Sequence, residues 1–201
     1  MPKPLPKPMM LSAARPTLYL DFDGVLHPDE VYRRKDGSIF VKNVPGMDAK
    51  LFMWAKDLAE RVADRDVQVI LATSWVTAIG FQKTMARLPE GIASKVAGST
   101  YHSSQKQDWQ YYTRYQQIQQ HATRHRIVHW LALDNDVKEW AAPALHHLCA
   151  CDDVTGISLQ WPVLDAWLDR YAPVRAPFVG AVLDMDGGPC KSWVLFVPGA
   201  G

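Results

Sequence analysis

Apolar residues along this chain gather in short unbroken runs that end on acids, and the stretches between them carry apolar positions every third or fourth residue. Thr17–Phe22 (TLYLDF) is the first run, and it stops at Asp21-Phe22-Asp23-Gly24. A buried parallel strand that delivers polar side chains at its carboxyl end looks like this. Glu30–Lys42 alternates around Lys35-Asp36-Gly37-Ser38, and Asp-Gly between Val31-Tyr32 and Ile39-Phe40 predicts a β-hairpin flap. Leu51, Phe52, Ala55, Leu58, Ala59 and Val62 keep helical spacing, which predicts an amphipathic crossover helix over 48–64. Val67–Ala72 (VQVILA) reads as a second buried strand, followed from Thr73-Ser74-Trp75 by a helix to Arg87. A turn at Pro89-Glu90-Gly91 and a short segment around Val96 come next. Gln107–Arg126 is polar, yet Tyr112, Tyr115, Ile118 and His121 or Ala122 share one stripe, which predicts a helix with a narrow buried face. Ile127–Leu133 (IVHWLAL) is a further buried run and again ends in acids, Asp134-Asn135-Asp136. Leu145–Cys151 predicts another strand, and Leu164–Tyr171 a last helix.

Strands alternating with helices predict an α/β fold, a three-layer Rossmann-like parallel sheet covered on both faces. Right-handed crossovers put all the carboxyl ends on one edge, where such sheets bind ligands. That edge would collect Asp21 and Asp23, Thr73 and Ser74, and Asp134 and Asp136. The 201 residues leave room for one domain over 17–171, with a flexible leader over 1–16 and a tail over 172–201. The tail holds a second Asp-x-Asp-Gly, in Leu183-Asp184-Met185-Asp186-Gly187-Gly188. Only 15 residues follow Asp186, too few for partner segments. Val179–Leu183 and Trp193–Val197 around a Gly-Gly-Pro turn predict a hairpin there instead.

Charge narrows the choice of partner. Twenty-two Lys and Arg against 21 Asp and Glu give a net charge of +1, so bulk charge draws the chain to neither nucleic acid nor membrane. A polyanion would have to be met locally, and Arg33-Arg34-Lys35 at the hairpin tip is the candidate, otherwise a solvated turn. Three cysteines without paired spacing argue against a disulfide framework and for a reducing cytoplasm. Cys149 and Cys151 read as small apolar strand residues more readily than as zinc ligands. No apolar run approaches the roughly 18 residues of a membrane-spanning helix.

Two carboxylates one residue apart at a strand mouth can take different roles. Asp21 is placed as a nucleophile toward phosphorus, giving an acyl phosphate, while Asp23 can protonate the leaving oxygen and later take a proton from water. Gly24 lets backbone amides approach the phosphoryl oxygens. Phosphate beside several carboxylates calls for a hard cation, and Mg2+ suits Asp21, Asp134 and the main-chain carbonyl of Asp23. Thr73 offers a hydroxyl to the phosphate, Ser74 stands beside it, and a cation from a neighbouring helix would complete the cradle.

Asp21-Phe22-Asp23-Gly24-Val25-Leu26, Val69-Ile70-Leu71-Ala72-Thr73, a basic residue and Leu133-Asp134-Asn135-Asp136 follow one another in the order of the haloacid dehalogenase (HAD) superfamily motifs, which the chain resembles. More narrowly, LDFDGVLHP, ILATSW, a late Arg opening a helix, LALDND and TGIS are similar to the HAD domains of Swiss Army Knife RNA repair proteins. The resemblance covers residues 17–171. It implies that Asp21 is the nucleophile, Asp23 the general acid and base, Thr73 the phosphate-binding hydroxyl and Asp134 a metal ligand. It points to Arg114 as the basic residue, with Lys106 as the rival if the helix begins earlier. Asn135 stands where the superfamily often has a second acid, which leaves the part played by Asp136 open. Asp23 implies phosphate esters as substrates, since relatives acting on carbon–halogen bonds or phosphonates lack it. Short connections leave no room for a cap domain, and capless relatives have open sites. A phosphate on a large substrate, such as RNA or DNA ends, is the implied partner. The alternative is a non-catalytic phosphate-binding or interaction module on the same fold.

Overall fold

The computed structural model describes residues 7–101 and 109–174. In chain order the strands are β1 (Thr17–Leu20), β2 (Val31–Arg33), β3 (Ile39–Val41), β4 (Gln68–Leu71), β5 (Val96–Ser99), β6 (Trp130–Asp134) and β7 (Leu148–Ala150). The helices are α1 (Ala55–Val62), α2 (Trp75–Ile79), α3 (Phe81–Met85), α4 (Glu90–Ala93), α5 (Arg114–Arg124) and α6 (Trp161–Tyr171). Five strands form one parallel sheet in the order β5-β4-β1-β6-β7. Its central strands are apolar on both faces because both faces are covered. Leu18, Leu20, Val69, Leu71, Leu131 and Leu133 pack on one side with α1, α4 and α6, through Leu58, Val62, Ile92, Leu164 and Leu168. Tyr19, Ile70 and Ala132 face the other side, against Ile118 and Ala122 of α5 and against Trp140. The expected three-layer α/β architecture is therefore present.

Several boundaries differ from the sequence pattern. The helix expected over 48–64 contracts to α1 because Phe52 sits at φ 59, in the left-handed region that a right-handed helix cannot pass through. The helix expected from Ser74 to Arg87 breaks at Gly80 (φ 88, ψ 150) into α2 and α3. β6 starts three residues beyond the start of its apolar run, and Val128 is left exposed. α5 starts at Arg114 because Thr113 and Gln116 form a reciprocal capping box there, so Tyr112 of the expected stripe precedes the helix. The run expected as a strand over 145–151 is strand only in β7, its first residues completing a 3-10 turn over Ala142–His147.

β2 and β3 pair antiparallel, with Val31 opposite Val41, Tyr32 opposite Phe40 and Arg33 opposite Ile39. Of the leader, residues 7–16 are described, and they are tied down instead of free. Met9 N–H donates to Val96 O, Ser12 N–H to Gln68 Oε1, and Arg15 pairs with Asp66. The second Asp-x-Asp-Gly and the hairpin expected around it lie outside the described residues, as does Lys106. Among the described residues no helix is long and apolar enough to cross a membrane.

Candidate active site

Strand register builds the site. Leu20 stands opposite both Leu71 and Leu133, so the residues that leave β1, β4 and β6 emerge side by side at one edge. The strand order reverses at β1, which makes the crevice beside it the natural ligand site of an open α/β sheet. Asp21, Thr73 and Asp134 stand at this crevice, all buried.

Arg114, the first residue of α5, joins two of the strand ends. Its Nη2 donates to Asp21 Oδ2 at 3.1 Å, and its Nε lies 3.1 Å from Asp134 Oδ2. The second contact is an ion pair whose angle makes no hydrogen bond, so Arg114 Nε and Asp134 Oδ2 are both buried without one. The other carboxylate oxygens are held by the backbone. Phe22 N–H donates to Asp21 Oδ1 at 2.8 Å, and Asp136 N–H to Asp134 Oδ1 at 2.9 Å. Burial raises the Asp21 pKa, against the opposing pull of the Arg114 charge, the Phe22 amide and the Thr73 hydroxyl. Burial and then the Asp21 charge push Asp134 well above the usual carboxylate range. Burial alone would lower the Arg114 pKa, but Asp21, Asp134 and Asp136 outweigh it and raise the value.

This arrangement fits a divalent cation. Asp134 Oδ2 is a buried acceptor without a donor, and the two carboxylates already share one positive charge. Among the described residues no three His, Cys, Asp or Glu side chains cluster to hold an ion. Asp21 and Asp134 are the two carboxylates that could hold a hard cation here, and oxygen donors are what Mg2+ takes.

Asp23 has separate surroundings. Trp75 Nε1 donates to its Oδ1 at 2.9 Å and to its Oδ2 at 3.1 Å, and His27 Nε2 lies 3.0 Å from Oδ1. Phe52 N–H donates to His27 Nδ1, so the ring proton sits on Nε2 and points at Asp23. His27 is fully buried, edge-on to Phe52 and Trp75. Asp23 keeps 23% of its side chain exposed, against 8% for Asp21 and none for Asp134. The pattern of the chain assigned no role to His27. The available signal was the spacing of His27, four residues after Asp23, where the tight turn at Val25 and Leu26 returns it to the carboxylate.

The remaining candidates are distributed as follows. Thr73 Oγ1 accepts from Trp75 N–H at 3.4 Å at the start of α2. Ser74 is exposed, and its hydroxyl does not cap that helix. The Asp136 carboxylate accepts from Lys138 N–H, so it is the Asp136 amide that touches Asp134. Asn135 Nδ2 donates to Asp153 Oδ1, and the Asn135 side chain lies against Gly24, where an added Cβ would come within 2.4 Å of it.

An Asp-x-Asp loop on the central strand of a parallel sheet, answered by an acid on the adjoining strand, is how HAD-like domains are organised. The chain belongs to the family described as the HAD domain in Swiss Army Knife RNA repair proteins, which matches residues 17–161, and so to a superfamily of phosphatases and other hydrolases. No curated protein and no solved structure matches it.

Proposed function

We propose that the protein is a magnesium-dependent phosphomonoesterase that works through an aspartyl phosphate on Asp21. The observation that carries this reading is the division of labour among the acids. Asp21 and Asp134 share Arg114 in a buried pocket, whereas Asp23 is held apart by Trp75 and His27 and reaches solvent. Asp21, Asp134 and the Asp23 carbonyl would hold the metal, which supplies the positive charge that lets a phosphate dianion approach three carboxylates. Arg114 and the Thr73 hydroxyl would then bind phosphoryl oxygens.

An Asp21 carboxylate oxygen attacks phosphorus, the ester P–O bond breaks, and its electron pair leaves on the ester oxygen with a proton from Asp23. Water next attacks the same phosphorus and gives its proton to Asp23. The P–O bond to Asp21 breaks, and inorganic phosphate departs. Trp75 and His27 fix the Asp23 carboxylate for both transfers. Between β1 and α1 the only strands or helices are those of the β2–β3 hairpin, flanked by loops over 21–30 and 42–54, which supports an open site. With the repair context of the family, this favours phosphorylated RNA or DNA ends as substrates.

The test is hydrolysis of p-nitrophenyl phosphate with Mg2+. Turnover should disappear in Asp21→Asn and on chelation of the metal. Full activity in that variant would overturn the mechanism, and Mg2+-dependent binding of phosphorylated ligands without turnover would point to an interaction module.

A further inference from the structure

We propose that the α2–α3 junction is a polynucleotide subsite. Its basic side takes an internal phosphodiester of a strand whose end phosphate lies at Asp21, and its aromatic side takes an adjoining base. The proposal rests on the phosphatase reading for the position of the strand end.

The basic side is a cavity of about 530 Å³ between the hairpin tip and the junction, lined by Arg33, Gly37, Thr77, Gly80, Lys83 and Arg87 among others. No Asp or Glu lines it, and none of its three cations pairs with a carboxylate among the described residues. Arg15, Lys42, Lys50, Arg61 and Arg65 each have an acidic partner. Among the described residues Lys35, Arg126, Lys138 and Arg170 have none either, so it is the grouping around one acid-free cavity that sets these three apart. In a chain of net charge +1, three unpaired cations around one cavity are a local device. The two adjacent arginines of the hairpin differ. The Arg34 guanidinium is engaged on the hairpin itself, 4.1 Å over the Phe40 ring and bonded to Ser38 Oγ. Arg33 folds back over Gly37 into the cavity wall.

A second cavity of about 500 Å³ shares Gly80 with the first and presents Phe81, Tyr101 and His125, again without an acid. Tyr101 is braced edge-on by Trp109 at 5.2 Å. Phosphate-binding cations on one side of a junction and ring faces on the other match single-stranded nucleic acid, whose phosphates and bases alternate. An acidic peptide would use the charge but leave the rings without a partner. The junction also has the right connection to the site. α2 opens with Trp75, which donates to Asp23, and Gly80 follows after roughly 8 Å of helix rise.

Lys83 and Arg87 are exposed, so Lys83→Ala/Arg87→Ala should leave the fold and small-substrate turnover intact. Fluorescence anisotropy with a short end-phosphorylated single strand, in chelator to prevent turnover, should show roughly tenfold weaker binding by the double variant. The slope of log affinity against log salt should fall by about 0.7, the share of one phosphate contact on a single strand. Phe81→Leu should weaken the strand by about tenfold and leave a charge-matched phosphopeptide unaffected. Unchanged affinity and salt slope in the double variant would overturn the subsite, and equal binding of the phosphopeptide would overturn its assignment to nucleic acid. A wild-type protein that fails to hydrolyse p-nitrophenyl phosphate defeats the phosphatase reading alone, because the binding comparison is made without turnover.

Discussion

Asp21 and Asp23 are two residues apart and chemically identical, and their neighbours make them different. Asp21 faces the buried guanidinium of Arg114, and Asp23 faces an indole and an imidazole. Trp75→Phe keeps the ring packed against Phe22 and Phe52 but removes the donor to both Asp23 oxygens. A hydrogen bond to a charged group is worth about 1.5–3 kcal/mol, so kcat for p-nitrophenyl phosphate should fall about tenfold or more with KM nearly unchanged. An unaltered kcat would leave Trp75 with packing alone. Arg114→Ala strands two buried carboxylates without their cation and should destabilise the protein by about 3 kcal/mol or more in urea unfolding without metal. At this scale the sequence was partly legible. Asp21, Asp23, Thr73, Asp134 and Arg114 could be named from strand ends and a motif order, and the structure brings them into one crevice. Cys149 and Cys151 are buried apolar residues, as their alternation suggested. The spacing of His27 from Asp23 was a local signal, but its second partner, Phe52 N–H, is 25 residues away and depends on a left-handed backbone that no pattern announces.

The elements were legible where one residue type dominates a run and less so where tertiary contact decides a boundary. The polar α5 is anchored to the sheet partly by His121, whose Nδ1 lies 2.9 Å from the hydroxyl of Tyr19 on β1. Burial holds His121 near a pKa of about 3, with His125 and Arg124 adding to the effect, and burial also pushes the Tyr19 hydroxyl up so that it stays a donor. The sign follows from the neutral native form. The folded pKa lies below the unfolded value of 6.5, so the contribution is fully present above pH 6.5 and is lost as pH falls through that value toward 3. Between pH 7 and pH 5 this one residue should remove about 2 kcal/mol of stability. Urea unfolding at the two pH values measures it, and His121→Gln should flatten the difference. The α2–α3 break is a case the pattern missed. Helical spacing continued through Gly80, and only the backbone shows that the chain turns there and opens two cavities.

For the whole molecule, metal and fold should be linked, because the cation would bind where two strand ends deliver buried carboxylates. Saturating Mg2+ should raise the melting temperature, by the equivalent of about 2.7 kcal/mol when its concentration is a hundred times the Kd. Asp134→Asn should abolish that gain while melting no lower than wild type without metal, since it removes a buried charge with an unsatisfied oxygen. Differential scanning calorimetry with and without Mg2+ decides the point; a gain that survives Asp134→Asn would remove Asp134 from the metal site. The sequence by itself determined the layered α/β architecture and the acids at its edge, because burial on both faces dictates apolar runs and a strand end dictates where polar residues may appear. Only the tertiary structure decided that Arg114 reaches both Asp21 and Asp134, that Trp75 and His27 hold Asp23, and that Arg33 lines one cavity with Lys83 and Arg87. Those contacts join positions distant in the chain, and side-chain direction across such distances is set by packing and leaves no periodic trace in the sequence.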